Sequence, residues 1–197
     1  MTRLTEQRDV QDQLINHLIG IDWRYLPPGD VVAARGADEH EPFLPDVARD
    51  QLIALNPGLV TADNLDDVLR RLRRVKPNLA GNEEFLKALR GQWTVYHPVE
   101  KRERNLTLID FENPDRNHFA FTQEMWFEDY DRRRMDMVLF VNGFPVVVVE
   151  NKSPTVPEAE LEAFDQVHHT YTGRIPEFLK FVQLFAACDV RLHYGPT

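Results

Sequence analysis

The stretch Arg132–Pro154, RRRMDMVLFVNGFPVVVVENKSP, decides how the rest of the chain is read. Two apolar, β-branched runs, Met135–Val141 and Pro145–Val149, flank the pair Asn142-Gly143. Asn and Gly tolerate the positive φ of a tight turn, so the stretch predicts a β-hairpin. Both runs are almost continuously apolar, the pattern of strands covered on both faces. Yet Asp136 interrupts the start of the first run, and the second ends in Glu150-Asn151-Lys152. Ionisable groups at the rim of a buried sheet are costly unless they neutralise one another or hold a cation.

The spacing of these charges sets a register condition. Residues two apart on a strand share a face, so Glu150 and Lys152 project together. A plain two-residue loop pairs Val141 with Phe144, and therefore Asp136 with Val149. That places Asp136 and Glu150 on opposite faces, because a slip of one residue flips every side chain. Convergence of the two carboxylates therefore requires a three-residue loop or a β-bulge in one strand. Converged, they would form a hard, oxygen-rich site of the kind Mg²⁺ prefers. Such an ion acidifies bound water and neutralises phosphate charge, and a nearby ammonium stabilises developing negative charge. Taken alone, the three charges also fit a salt-bridged strand end, the commoner use of such residues.

Working outward, Leu4–Ile19 has helical periodicity with Gly20 at its end, and Glu6 and Asp12 are acidic residues on it. Ile21–Leu26 reads as a short strand, and residues 27–46, with Pro27, Pro28, Pro42 and Pro45, as a loop. Helices are predicted over Asp46–Leu55, Asp63–Val75 and Glu83–Arg90; in the second, Leu65, Val68, Leu69 and Leu72 fall on one face. From Trp93 the chain turns to strands, over Trp93–His97, Asn105–Phe111 and His118–Phe127. After the hairpin come a helix over Glu158–Thr172, a strand over Lys180–Ala187, and a short strand over Arg191–Tyr194. His97, His118 and His193 stand at no zinc spacing, and the adjacent His168 and His169 cannot share a helix face.

Composition narrows the class. A chain of 197 residues with 43% apolar content suits one large domain. One cysteine excludes an internal disulfide, and the N-terminus is too polar for a signal peptide, so a cytoplasmic location is expected. No stretch has the apolar length of a membrane span, so no membrane partner is expected. The net charge of -9 argues against a protein that simply coats DNA. Charge can still be local: Arg132, Arg133 and Arg134 precede the first hairpin strand, and Arg70, Arg71, Arg73, Arg74 and Lys76 cluster elsewhere. For the second cluster a solvated helix face is the simpler reading.

Asp136 followed by Glu150-Asn151-Lys152 on a hairpin resembles the PD-(D/E)XK nuclease motif. That bare pattern is common by chance. The wider text is specific: VNGFPVVVVENKSP, then EAFDQVHHTY and FLKFVQLFAACD, preceded by LIDFENP and KPNLAGNEEF. It is similar to the N-terminal nuclease domain of the R subunit of type I restriction enzymes, over nearly the whole chain.

The resemblance implies an α/β fold with a restriction-endonuclease-like core. A mixed central sheet would be flanked by helices, behind a mainly helical portion over 1–91, with the catalytic core in 92–197. It implies a Mg²⁺-dependent endonuclease acting on double-stranded DNA. Asp136 and Glu150 would hold the metal with the backbone carbonyl of Asn151. Lys152 would orient water, and Gln166 would help to place water or phosphate. The family's tyrosine follows that glutamine by four residues. Here Thr170 takes its place, and Tyr171 follows at five, off the same face of an ideal helix unless the helix is bulged. ATP would act only through motor domains absent from this chain, and methyltransferase and specificity subunits would be partners. The alternative is an inactive fold of the same kind that docks such a complex.

Overall fold

The computed structural model describes residues 11–151, 171–188 and 192–196. Its centre is a mixed six-stranded sheet, and a separate two-stranded sheet stands beside it. The elements run α1 (Asp12–Gly20), β1 (Arg24–Tyr25), α2 (Pro28–Ala34), α3 (Pro45–Leu55), α4 (Leu65–Arg73), α5 (Leu79–Leu89), β2 (Thr94–His97) and β3 (Arg102–Asn105). After them come β4 (Phe119–Glu128), β5 (Arg132–Val141), β6 (Phe144–Asn151), α6 (Thr172–Arg174), α7 (Pro176–Leu179), β7 (Leu184–Cys188) and β8 (Leu192–Pro196). The large sheet has the order β1-β4-β5-β6-β7-β8. β1 lies parallel to β4 and β6 parallel to β7, while the other neighbours are antiparallel. This α/β architecture is restriction-endonuclease-like.

The hairpin forms where the sequence predicts it. Asn142 has φ 51° and Gly143 φ 84°, the paired positive values of a type I′ turn. The turn is not an exposed tip. Buried Asn142 donates from Nδ2 to the Leu108 carbonyl at 2.7 Å, and its Oδ1 accepts from His118 N at 2.7 Å. The Gly143 carbonyl accepts from Leu44 N at 2.8 Å, so the turn is bonded to the residue that leads into α3.

Burial explains the layering. On one face of the sheet, α1 lays Leu14, Ile15 and Leu18 against Phe121, Met137 and Val149. On the other face, Val138, Phe140, Val148 and Phe185 meet Tyr171, Ile175 and Phe178. A third core joins α3, α4 and α5 to the turn end of the hairpin. There Phe85 meets Phe181 edge-on at 4.9 Å between centroids, and Phe43 lies 5.3 Å from Phe144. The apolar face of α4, made by Leu65, Val68, Leu69 and Leu72, is buried as its spacing requires.

Several boundaries differ from the sequence reading. Residues 27–46 are not wholly a loop, because α2 begins there with Pro28 at its first position, where a missing N–H costs nothing. Arg35, just beyond α2, is buried and donates to the carbonyls of Glu41 (2.6 Å), Glu39 (2.7 Å) and Trp126 (2.8 Å). Burial pulls its guanidinium down to about 10. The strand expected over Asn105–Phe111 instead precedes that range: β3 pairs with β2 through Arg102–Asn105. Lys180 does not open a strand. It follows α7, buried, with Nζ donating to Glu177 Oε2 at 2.6 Å and to the Arg73 carbonyl at 2.7 Å. The helix expected over Glu158–Thr172 falls almost entirely outside the described residues, as do Glu6, His168 and His169. Among the described residues no helix is long and apolar enough to cross a membrane.

Candidate active site

The site lies where the β5–β6 ladder stops, midway along β5 at Asp136 and at the last residues of β6. Next to the turn, Val141 pairs with Phe144 and Phe140 with Pro145, as a two-residue loop dictates. Beyond it Leu139 pairs with Val147, so Val146 is an extra residue on β6. This is a β-bulge, and it moves the register by one. Val138 then meets Val148 and Met137 meets Val149, the last pair of the ladder, and Asp136 and Glu150 each follow that pair on their strands. The bulge is anchored from the neighbouring strand, for Gln183 N donates to the Val146 carbonyl at 2.9 Å.

At this point the β5–β6 ladder ends and side chains take over its hydrogen bonds. Asn151 N donates to Asp136 Oδ2 at 2.9 Å. Tyr171 reaches in from beyond the sheet, 1% exposed. Its hydroxyl lies 2.7 Å from Glu150 Oε1 and 3.1 Å from the Arg134 carbonyl oxygen, and it shares one proton between two acceptors. Glu150 is itself only 2% exposed. A carboxylate so deeply buried needs polar partners, and the tyrosine hydroxyl is one. On the α1 side, Gln11 Nε2 donates to Gln123 Oε1 at 3.2 Å and lies 3.5 Å from the Asp136 carbonyl oxygen.

The structure thus brings together Asp136, Glu150 and Asn151. Lys152 and Gln166 lie outside the described residues. Tyr171, which the sequence spacing kept out of the site, belongs to it. Tyr171 itself has a helical backbone and leads into α6. Gln166, from which the five-residue spacing is counted, lies outside the described residues.

Two features suit a hard divalent cation. The oxygen donors Asp136 and Glu150 directly follow the last pair of the β5–β6 ladder. Beside them, the Asn151 side-chain amide is buried, and among the described residues neither Nδ2 nor Oδ1 has a hydrogen-bond partner. Among the described residues, no group of three His, Cys, Asp or Glu side chains gathers to hold a metal. An ion here would have to complete its shell with backbone carbonyl and water, as Mg²⁺ commonly does. The basic triplet beside the site is not a bare cationic patch. Arg132 pairs with Glu39 at 2.6 Å, Arg133 with Asp131, and Arg134 with Glu124 at 3.3 Å.

A mixed six-stranded sheet with helices packed on it and a hairpin at its centre gives the chain a restriction-endonuclease-like fold. The chain belongs to the family described as type I restriction enzyme R protein N terminus, whose profile matches residues 3–195. It is 27% identical over 198 residues to the type I restriction enzyme HindI endonuclease subunit of Haemophilus influenzae, covering 94% of this chain and 18% of that protein. It is 36% identical over 104 residues to the provisionally named type I restriction enzyme MjaIXP endonuclease subunit of Methanocaldococcus jannaschii, covering 50% of this chain and 10% of that protein. The chain therefore spans only a small part of the length of the curated relatives it matches.

Proposed function

We propose that this chain is the endonuclease module of a type I restriction enzyme R subunit and hydrolyses phosphodiester bonds of double-stranded DNA with Mg²⁺. The observation that supports this reading is the bulge at Val146, which shifts the register as convergence of Asp136 and Glu150 requires, in a chain of this family. Asp136, Glu150 and the backbone carbonyl of Asn151 would hold the ion. When bound, the ion supplies charge neutralisation at the phosphate and acidifies the attacking water. Lys152 would orient that water and stabilise the negative charge that develops. Gln166 would place water or phosphate, and Tyr171 holds the carboxylate of Glu150 in position. Cleavage would be coupled, in the whole enzyme, to ATP-driven translocation by motor domains, beside methyltransferase and specificity subunits. A cytoplasmic location follows from that role.

The test is cleavage of plasmid DNA by the assembled enzyme, with Asp136→Ala and Lys152→Ala as variants. Both should lose cleavage while their circular dichroism and melting temperature stay near wild type. Asp136→Ala should also lose Mn²⁺ binding by calorimetry. Wild-type cleavage by either variant overturns the mechanism. It would favour an inactive docking module, a role that the net charge of -9 and the acid-paired arginines would suit.

A further inference from the structure

The β4–β5 ladder runs in constant register from Phe119↔Val141 to Glu128↔Arg132, and it lapses where Glu124 faces Asp136. Glu124 has φ 51°, a left-handed backbone in the middle of a strand. Residues two apart on a strand ordinarily share a face. Here they do not. Phe121 and Met137 point into the core beneath α1, whereas Met125, Phe127 and Met135 point into the opposite core. Both strands therefore turn over at the Glu124–Asp136 step. Past it, Met125 and Phe127 fill the core around Tyr171 and Phe178, with the Phe127 and Phe178 rings 5.1 Å apart. At the step itself the Asp136 carboxylate meets Asn151 N, and the Arg134 carbonyl meets the Tyr171 hydroxyl.

We propose that Glu124 is a positioning residue, whose left-handed backbone turns the β4–β5 ladder over and so sets Asp136 against the Asn151 amide beside Glu150. The inference rests on the reading of Asp136 as a metal-binding acid, and it names the device that places it. The backbone carries the effect rather than the charge. The Glu124 carboxylate is exposed and pairs with Arg134 at 3.3 Å, and an exposed ion pair of that length contributes little. Non-glycine residues in this conformation are strained, and such strain persists where surrounding packing over-determines it, characteristically at functional sites. Glycine adopts it freely, whereas a β-branched residue resists it.

The experiment compares E124G, E124Q and E124V in this chain. Two readouts are used, hydrogen exchange of the Asn151 amide by NMR and calorimetric Mn²⁺ binding, with Asp136→Asn as the control that removes the carboxylate. E124V should lower Asn151 protection and Mn²⁺ affinity by roughly tenfold, while E124G and E124Q keep both near wild type. A structural role that merely supported the sheet would lower protection throughout β4 and β5 and would not be rescued by glycine. If E124V does not fold, E124A takes its place, and E124G must then be the better protected at Asn151. Wild-type protection in E124V, E124G no better than E124A, or equal losses in E124Q and E124V would each overturn the inference. Failure of the wild-type chain to bind Mn²⁺ would sink the metal reading instead, and the Asn151 amide would still decide the role of Glu124.

Discussion

Replacing Tyr171 with Phe probes the link between the sheet and the helical segment beyond it. The ring stays, so its packing in the core with Ile175 and Phe178 is preserved, and the hydroxyl alone is lost. That hydroxyl lies 2.7 Å from Glu150 Oε1, and Glu150 is 2% exposed. A hydrogen bond to a charged group contributes about 1.5–3 kcal/mol net. The second contact, 3.1 Å to the Arg134 carbonyl, does not add in full, because one hydroxyl has one proton. The expected loss is therefore about 2 kcal/mol, or about 4–8 °C in melting temperature for a chain of this size. Urea denaturation of wild type, Tyr171→Phe, Glu150→Gln and the double variant isolates the pair. Glutamine still accepts, but a neutral bond is roughly half as strong, so the cycle should show about 1 kcal/mol of coupling. If Tyr171→Phe costs the same in both backgrounds, within about 0.3 kcal/mol, the tyrosine is not holding that carboxylate.

Two further substitutions test the frame of the site. Gly143→Ala should lower stability by about 3 kcal/mol, read as a shift of the urea midpoint, because it adds left-handed strain to overpacking. A Cβ there would lie 2.8 Å from both Ala48 N and the Leu44 carbonyl oxygen, with φ at 84°. An unchanged midpoint would show that the turn is not clamped on α3. His118 is half-buried, its Nδ1 has no hydrogen-bond partner among the described residues, and burial, then the charge of Arg24, hold its pKa below the usual histidine value. The unfolded chain thus protonates it at higher pH than the folded one. Stability should be full above about pH 6.5 and should fall as pH drops toward the lower folded value. His118→Gln should flatten that fall in urea midpoints taken between about pH 7 and pH 5. Equal slopes for the two proteins would refute the assignment.

Much of the fold was legible because it depends on local chemistry. Asn142-Gly143 takes the two positive φ values that the dipeptide favours, and the α4 leucines bury the face that their spacing marks. Even the bulge was legible in outline, since only a shifted register lets Asp136 and Glu150 share a face. What local pattern does not carry is which residue absorbs the shift. Val146 does so, one of four consecutive valines that are alike in propensity, and the choice is fixed by Gln183 bonding to its carbonyl from β7's end of the sheet. The Pro-rich segment 27–46 read as a loop because prolines punctuate it, yet Pro28 starts a helix. The Arg35 guanidinium then ties the carbonyls of Glu39 and Glu41 to that of Trp126, a link made across the fold rather than along the chain.

The sequence by itself determined the hairpin, its apolar strands and the acids at their ends, because turn chemistry and side-chain alternation act between near neighbours. Only the tertiary structure decided that Tyr171 reaches Glu150 and that Glu124 turns the ladder over beside Asp136. Both depend on how separate segments pack, one by bringing the Tyr171 hydroxyl against the end of β6 and the other through a backbone conformation that no residue type at that position announces.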